Sequence, residues 1–202
     1  RSGFGSASTL RVTDAQAILR EDGAVGLVAY LIRQSGQVKA GDQNWTTQIQ
    51  GVSPNYPSIT NWRISAGRGI TPEDDDKAAL VVVIGHTVAA QLFGAGADPF
   101  GATINVKGVP LQIVGVLAPK GQSPQGQDQD DLVMIPFSTA ERKVLGVAAP
   151  SQATSTLNAI YTPSANPYGL QPRLTGLVNQ IYIQAVSPDG VQTAIGQATA
   201  TL

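Results

Sequence analysis

The chain has no cysteine and only one histidine and one methionine among its 202 residues. Without cysteine there is neither a disulfide framework nor a thiolate metal site, and the redox compartment is left open. Charge is scarce too. Charged residues make up 13% of the chain and the formal net charge is -1, so there is no basic footprint for nucleic acid. Long apolar runs are missing as well: the longest, Ala78 to Ile84, falls far short of the ~20 residues a membrane-spanning helix needs. The chain opens on Arg1-Ser2-Gly3 without an apolar leader, and is expected to be a soluble piece of a longer protein.

Motifs for catalysis are also missing. No G-x-x-x-x-G-K-[ST] loop is present, and Gly94-Ala95-Gly96-Ala97-Asp98-Pro99 lacks the third glycine of a dinucleotide fingerprint. Gly121-Gln122-Ser123-Pro124-Gln125 lacks the last glycine of a nucleophile elbow, and its proline does not suit a strand-to-helix turn. His86 reads as a polar residue near a helix start. The acidic runs Asp74-Asp75-Asp76 and Asp128-Gln129-Asp130-Asp131 fail the EF-hand pattern: counted from Asp128, position six is Val133 and position twelve is Thr139. They are expected to cap helices, order loops or face solvent. No cofactor or metal is expected. Trp45 and Trp62 read as mostly core residues, outside any basic stripe for base stacking.

What is present is enough apolar sequence to bury a substantial core, as one domain or two small ones. Gly, Ser, Thr, Gln and Asn are plentiful, which suits an extracytoplasmic surface. Thr13, with Gln16 three residues on, predicts the cap of a short helix carrying Ala15, Ile18 and Leu19, ended by Asp22-Gly23. Strands are predicted over Val25 to Gln34 and Trp45 to Gln50, joined through Gly41-Asp42. Thr71-Pro72-Glu73-Asp74 starts a helical turn. A buried strand follows at Val81 to Ile84, then a helix at Thr87 to Phe93 and a hairpin of Thr103 to Val106 with Pro110 to Leu117 about Lys107-Gly108. Gln180 to Val186 predicts a strand, and Ser187-Pro188-Asp189 starts a last helix with Val191, Ala194, Ile195, Ala198 and Leu202 on one face. The two ends thus mirror one another, and could close one small sandwich around an inserted middle.

The most informative stretch runs from Gly115 to Gly146. A strand-like run gives way to a Gly/Gln/Ser/Asp loop too polar to pack, Asp130-Asp131 leads into the buried run Leu132 to Ile135, and Pro136 closes it. Ser138 with Glu141 predicts a capping box for the helix that follows. This order resembles the periplasmic core domain of MacB-type ABC transporter permeases. Gln50-Gly51-Val52-Ser53-Pro54-Asn55-Tyr56, Ser65 to Asp74, Val81 to Gly85, Gln91 to Gly94, Asp98 to Gly101 and Val114 to Leu117 resemble further family segments in the same order.

The resemblance implies an α+β fold with a Porter-like part from residues 1–52 and 177–202, an inserted Sabre-like part at 53–146, and an extended insertion at 147–176. It implies a non-catalytic periplasmic domain of an inner-membrane protein, in which cytoplasmic ATP hydrolysis is transmitted as motion to a periplasmic partner. The implied partners are a membrane-fusion adaptor, an outer-membrane channel, the protein's own transmembrane and nucleotide-binding domains, and a second copy in the full transporter. Implied cargo is macrolides, peptides or toxins. Lipoprotein release and cell-wall regulation are alternatives within the family, and a secreted ligand-binding protein or hydrolase is the alternative outside it. Lys120, Gln122, Gln125, Gln127 and Asp128 are the expected partner-facing loop. Gly51, Tyr56, Gly67, Arg68, Gly101, Gly115, Asp130, Asp131 and Pro136 are the family signature, expected to be structural.

Overall fold

The structure, a computed structural model, describes residues 10–124, 126–146, 176–187 and 190–201. The expected insertion at 147–176, all but Gly176, lies outside the described residues, as do residues 1–9, Gln125, Pro188, Asp189 and Leu202.

Two hairpins are encoded locally. Strand β1 (Val25–Ala40) turns through Gly41 and Asp42 into β2 (Gln43–Val52), in register from Ala40 opposite Gln43 to Leu31 opposite Val52. Strand β5 (Thr103–Val106) turns into β6 (Val109–Leu117) through Lys107 and Gly108, at φ 49° and 87°. Two successive left-handed residues give the turn a twist that matches that of the flanking strands.

The remaining strands, β3 (Ile64–Gly67), β4 (Val81–Ile84), β7 (Leu132–Pro136) and β8 (Gln180–Ala185), complete one sheet. Its hydrogen-bonded path closes on itself: β1 pairs with β2, β2 with β7, β7 with β4, β4 with β6, β6 with β5, and β5 with β1. Strand β3 adds to β6, and β8 to the first half of β1. Hydrogen bonding therefore runs across the expected boundary at residues 52 and 53, from β2 to β7.

All six strands of the ring contribute to one core, with Val38, Ile49, Ile84, Ile104, Leu111, Ile113, Val133 and Ile135 enclosed and Val88 and Leu92 of α4 (His86–Phe93) packed among them. Each such side chain contributes roughly 1.5–3 kcal/mol through burial. The opposite face carries a second core of Leu31, Val52, Val83, Val114, Leu132 and Met134 under Tyr56 of α2 (Tyr56–Ile59). Strands β4 and β7 thus face apolar surroundings on both sides, which is why Val81 to Ile84 and Leu132 to Ile135 read as unbroken apolar runs. A third, small core joins the chain ends: Ala15 and Ile18 of α1 (Val12–Glu21), Val25 and Val28 of β1, and Ala194 and Ala198 of α6 (Val191–Thr201).

Several expectations need correction. Strand β1 runs to Ala40, beyond the predicted Gln34, because its second half pairs with β2 and β5. The cap of α1 is Arg11, whose N–H donates to Asp14 Oδ2 at 2.7 Å, in place of Thr13 with Gln16. Arg11 bridges to Leu177, so the chain stays extended up to that residue. Ser138 lies inside α5 (Phe137–Thr139), and Pro136 stands at the N-cap. The Ser138 N–H donates to Asp75 of α3 (Pro72–Asp76) at 2.7 Å, while Glu141 accepts from the Gly176 N–H. Beyond α5 the helix widens into a π-turn at Ala140–Val144, closed by the Leu145 N–H on the Ala140 carbonyl.

On α6, Val191 is 43% and Ile195 54% exposed, and the buried residues are Ala194 and Ala198. Small side chains let this helix approach β8 and α1 closely. Ala194→Asp is therefore expected to destabilise the protein by about 3 kcal/mol, because it buries a charge with no partner. Ile195→Asp should stay within about 0.5 kcal/mol. Urea denaturation of both variants measures the difference, and equal losses would contradict the assigned helix face.

Candidate functional site

The polar stretch between β6 and β7 is a hairpin-like loop tied down at its base. The Asp130 carboxylate accepts the backbone N–H groups of Lys120 at 2.7 Å and Gly121 at 2.9 Å. The Asp130 N–H in turn donates to Asp128 Oδ1 at 2.8 Å, and the Thr87 hydroxyl donates to Asp128 Oδ2 at 2.7 Å. Nearer the tip, Gln122 bridges to Asp128, and the Ser123 N–H donates to the Gln127 carbonyl. Trp45 Nε1 of β2 donates to Asp131 Oδ1 at 2.8 Å. These carboxylates act as fixed acceptors for a segment that has almost nothing apolar to bury.

The expected partner-facing residues divide accordingly. Gln122 and Gln127 are exposed, whereas Asp128 is engaged by Thr87 and by the loop backbone. Lys120 reaches across to α2: its Nζ donates to the Thr60 carbonyl at 2.7 Å and stands 4.0 Å from the centre of the Trp62 ring. Partial burial lowers its ammonium from the ordinary value, with the Asp130 charge opposing. Between this loop, α2 and the outer face of the β1–β2 hairpin lies a cleft of about 600 Å³. Its floor is Arg33, Gln48 and Gln50, and its walls include Tyr56, Trp62, Lys120, Gln127 and Asp131. Arg33, Gln50 and Trp62 were not singled out from the sequence as site residues. The signal available was the alternation in β2 that sets Gln48 and Gln50 on one face.

The signature residues lie at packing joints. Gly115 faces Gly67 across β3 and β6, and a Cβ on Gly115 would stand 2.1 Å from the Arg68 carbonyl oxygen. Gly101 donates its N–H to the Ile113 carbonyl, and Gly51 lies opposite both Ile32 and Ile135. Tyr56 meets Tyr182 of β8 edge to face at 5.3 Å, and burial, then Tyr182, push its hydroxyl well above the usual phenol range. Arg68 pairs with Asp74 at 2.5 Å, while Asp74 also accepts from the Thr71 N–H and hydroxyl, both at 2.9 Å. Burial alone would raise the Asp74 carboxyl, but the hydrogen bonds from Arg68 and Thr71 outweigh it and hold it below the ordinary value.

A smaller recess of about 230 Å³ brings Ser65, His86 and Asp98 into one lining. The Ser65 hydroxyl donates to the Val116 carbonyl at 3.1 Å, Asp98 Oδ1 accepts the Phe100 N–H, and no hydrogen bond joins His86 to either side chain. Among the described residues, no group of three or more His, Asp or Glu is placed to hold a metal ion.

The model of the MacB-like periplasmic core domain matches residues 1–201. The chain belongs to that family. MacB-like relatives include a "Macrolide export ATP-binding/permease protein MacB" of Syntrophobacter fumaroxidans, 34% identical over 81% of this chain and 23% of its own length. The MacB protein of Rhodopirellula baltica is 32% identical over 94% of this chain and 28% of its own. A "Pyoverdine export ATP-binding/permease protein PvdT" of Pseudomonas aeruginosa is 37% identical over 56% of this chain and 17% of its own. The chain thus spans about a quarter of the length of the MacB relatives it matches. The fold agrees with that of the periplasmic region of MacB from Actinobacillus actinomycetemcomitans, at TM-score 0.72 and 19% identity over 98% of this chain and 78% of that one. It agrees equally with the extracellular domain of YknZ, a noncanonic ABC-type transporter from Gram-positive bacteria, at TM-score 0.70 and 15% identity over 98% and 84%.

The chain is therefore an α+β periplasmic core domain of a MacB-like ABC transporter permease, and none of its described helices is long and apolar enough to cross a membrane. Within this MacB-like domain the Asp74 knot makes a pH test available. Because the carboxyl titrates lower folded than unfolded, its stabilisation is present above the ordinary carboxylate pKa and is lost as pH falls through the folded value. Asp74→Asn should cost about 1–3 kcal/mol near neutral pH. The difference from wild type should shrink as denaturation is repeated below about pH 4. A penalty independent of pH would contradict a charge-based role.

Proposed function

We propose that this domain is a non-catalytic transmission element: ATP hydrolysis elsewhere in the full permease moves it, and it passes that motion to an extracytoplasmic partner. The observation that carries this reading is the β6–β7 loop, with an exposed glutamine-rich tip on a base fixed by Asp130. A loop of that kind presents polar contacts from a fixed base, and loops on rigid scaffolds are where binding residues concentrate. The names of the relatives support an export role, with macrolides or a pyoverdine-like molecule as cargo. Nucleotide binding and membrane crossing would belong to the greater length of those relatives that this chain does not span.

In this reading Gln122 and Gln127, with Gln125, face a membrane-fusion adaptor that leads to an outer-membrane channel, and two copies of the permease act together. Lys120 and Asp128 hold the loop in place. The small core that α1, the start of β1 and α6 share supports a Porter-like unit built from both chain ends, while β1 and β2 also join the ring formed with the strands of the Sabre-like part at 53–146. The domain needs no cofactor of its own and no nucleic acid.

Replacing Gln122 to Gln127 by a Gly/Ser linker of equal length, with Lys120 and Asp128 kept, should leave the melting temperature within about 2 °C. Transport by the full-length protein should fall strongly. Transport assays beside thermal melts provide the test, and a large loss of stability with transport intact would overturn the partner-facing role.

A further inference from the structure

The cleft floored by β1 and β2 holds hydrogen-bonding groups that the fold itself leaves unused. Its acidic lining is already engaged, Asp128 by Thr87 and the Asp130 backbone, and Asp131 by Trp45. Arg33 differs. It is exposed, stands opposite Gln50 in the β1–β2 register, and its guanidinium makes no hydrogen bond or ion pair with any described residue. Gln50 is only 9% exposed, yet its side-chain amide also makes no hydrogen bond among the described residues, and its Oε1 is enclosed. Buried amides without a partner are rare because they lose water and gain nothing in exchange. Across the cleft, Lys120 spends one of its N–H donors on the Thr60 carbonyl and keeps the others.

The unspent groups have a common chemistry. A planar guanidinium matches a carboxylate through two parallel hydrogen bonds. Gln50, whose Oε1 is enclosed, keeps the Nε2 of its side chain as a donor suited to a peptide carbonyl. Gln48, whose Nε2 is held by Ser35, presents a carbonyl oxygen on the same strand face. We propose that this cleft binds an extended polypeptide segment through one carboxylate held by Arg33, with Gln50 pairing to the main chain beside it and Lys120 adding a second positive charge. An acidic sugar is disfavoured, because Lys120 already occupies a face of Trp62 on which a sugar ring would stack. The volume of about 600 Å³ lies within the roughly 300–1,000 Å³ of ligand sites. This goes beyond the transmission reading and does not depend on it, since its carboxylate and main-chain contacts lie on β1 and β2, while the loop supplies only part of the cleft wall through residues such as Gln127.

Calorimetric titration of the 202-residue chain with the blocked peptide acetyl-Ala-Ala-Glu-Ala-Ala-amide tests the proposal, with the Gln isostere, free glutamate and glucuronate as comparisons. The Glu peptide should bind about tenfold tighter than its Gln isostere. Arg33→Gln should abolish that preference without changing the melting temperature, since the side chain is exposed. Gln50→Leu should weaken both peptides, and Gln50→Glu should repel the Glu peptide selectively. Equal affinity for the two peptides, an unchanged preference in Arg33→Gln, or no saturable binding at millimolar peptide would overturn the carboxylate site. Free glutamate or glucuronate binding as tightly as the peptide would overturn the polypeptide assignment.

Discussion

Strand β1 is hydrogen-bonded along both of its edges, and the remainder of the fold is arranged around that fact. One edge is taken by β2 from Leu31 to Ala40. The other is shared between β8 at Val25 to Leu31 and β5 at Val38 and Lys39. A buried backbone must find partners for its N–H and C=O groups. Satisfying β1 on both sides therefore draws the hairpin of β5 and β6, the late strand β8 and, through β2, the strand β7 into a single sheet. The three apolar cores follow from where each stretch of β1 lies: Val25 and Val28 in the chain-end core, Leu31 in the outer core, and Ile32 and Val38 in the core of the ring.

The cleft described above inherits its rigidity from this frame. The cleft floor is a pair of strands fixed in register, with Arg33 opposite Gln50, so its groups cannot drift apart without breaking the hairpin. The roof is different, a loop with few apolar contacts held by carboxylate acceptors at its base. A stiff floor beneath a polar, replaceable roof allows loop chemistry to vary while the scaffold stays constant. Asp130 and Asp131 anchor the end of this loop, to the Lys120 and Gly121 N–H groups and to Trp45, while Gln122 and Gln127 before them are exposed.

What could be read from the residues was what short-range physics determines. The Lys107-Gly108 turn, the cap of α3 at Thr71, the start of α4 near His86 and the doubly buried runs at Val81 and Leu132 are local consequences of backbone preference and apolar periodicity. The misreadings have long-range causes. Ser138 looked like a cap because Glu141 follows it at the right spacing, but Asp75, far earlier in the chain, supplies the acceptor for its N–H. The second half of β1 is mostly polar by composition and is a strand because β2 and β5 pair with it. Val191 and Ile195 have the apolarity of core residues, yet close packing against β8 and α1 favours the small Ala194 and Ala198. The cleft was hidden for the same reason, since Arg33, Gln50, Trp62 and Lys120 meet only in the folded chain.

The pairing of β1 with β8 also orders events in time. Val25 lies opposite Ala185 and Leu31 opposite Gln180, so this ladder joins segments from nearly opposite ends of the sequence. Contacts between distant segments form slowly, and during synthesis from the N-terminus β8 emerges long after β1. Until then the first half of β1 is an open edge that bears Val25, Val28 and Leu31, the kind of unpaired strand on which chains associate wrongly. The early β1–β2 hairpin covers only the other edge. The edge of the first half of β1 is thus closed only when β8 has been made, and α6 then completes the small core behind it.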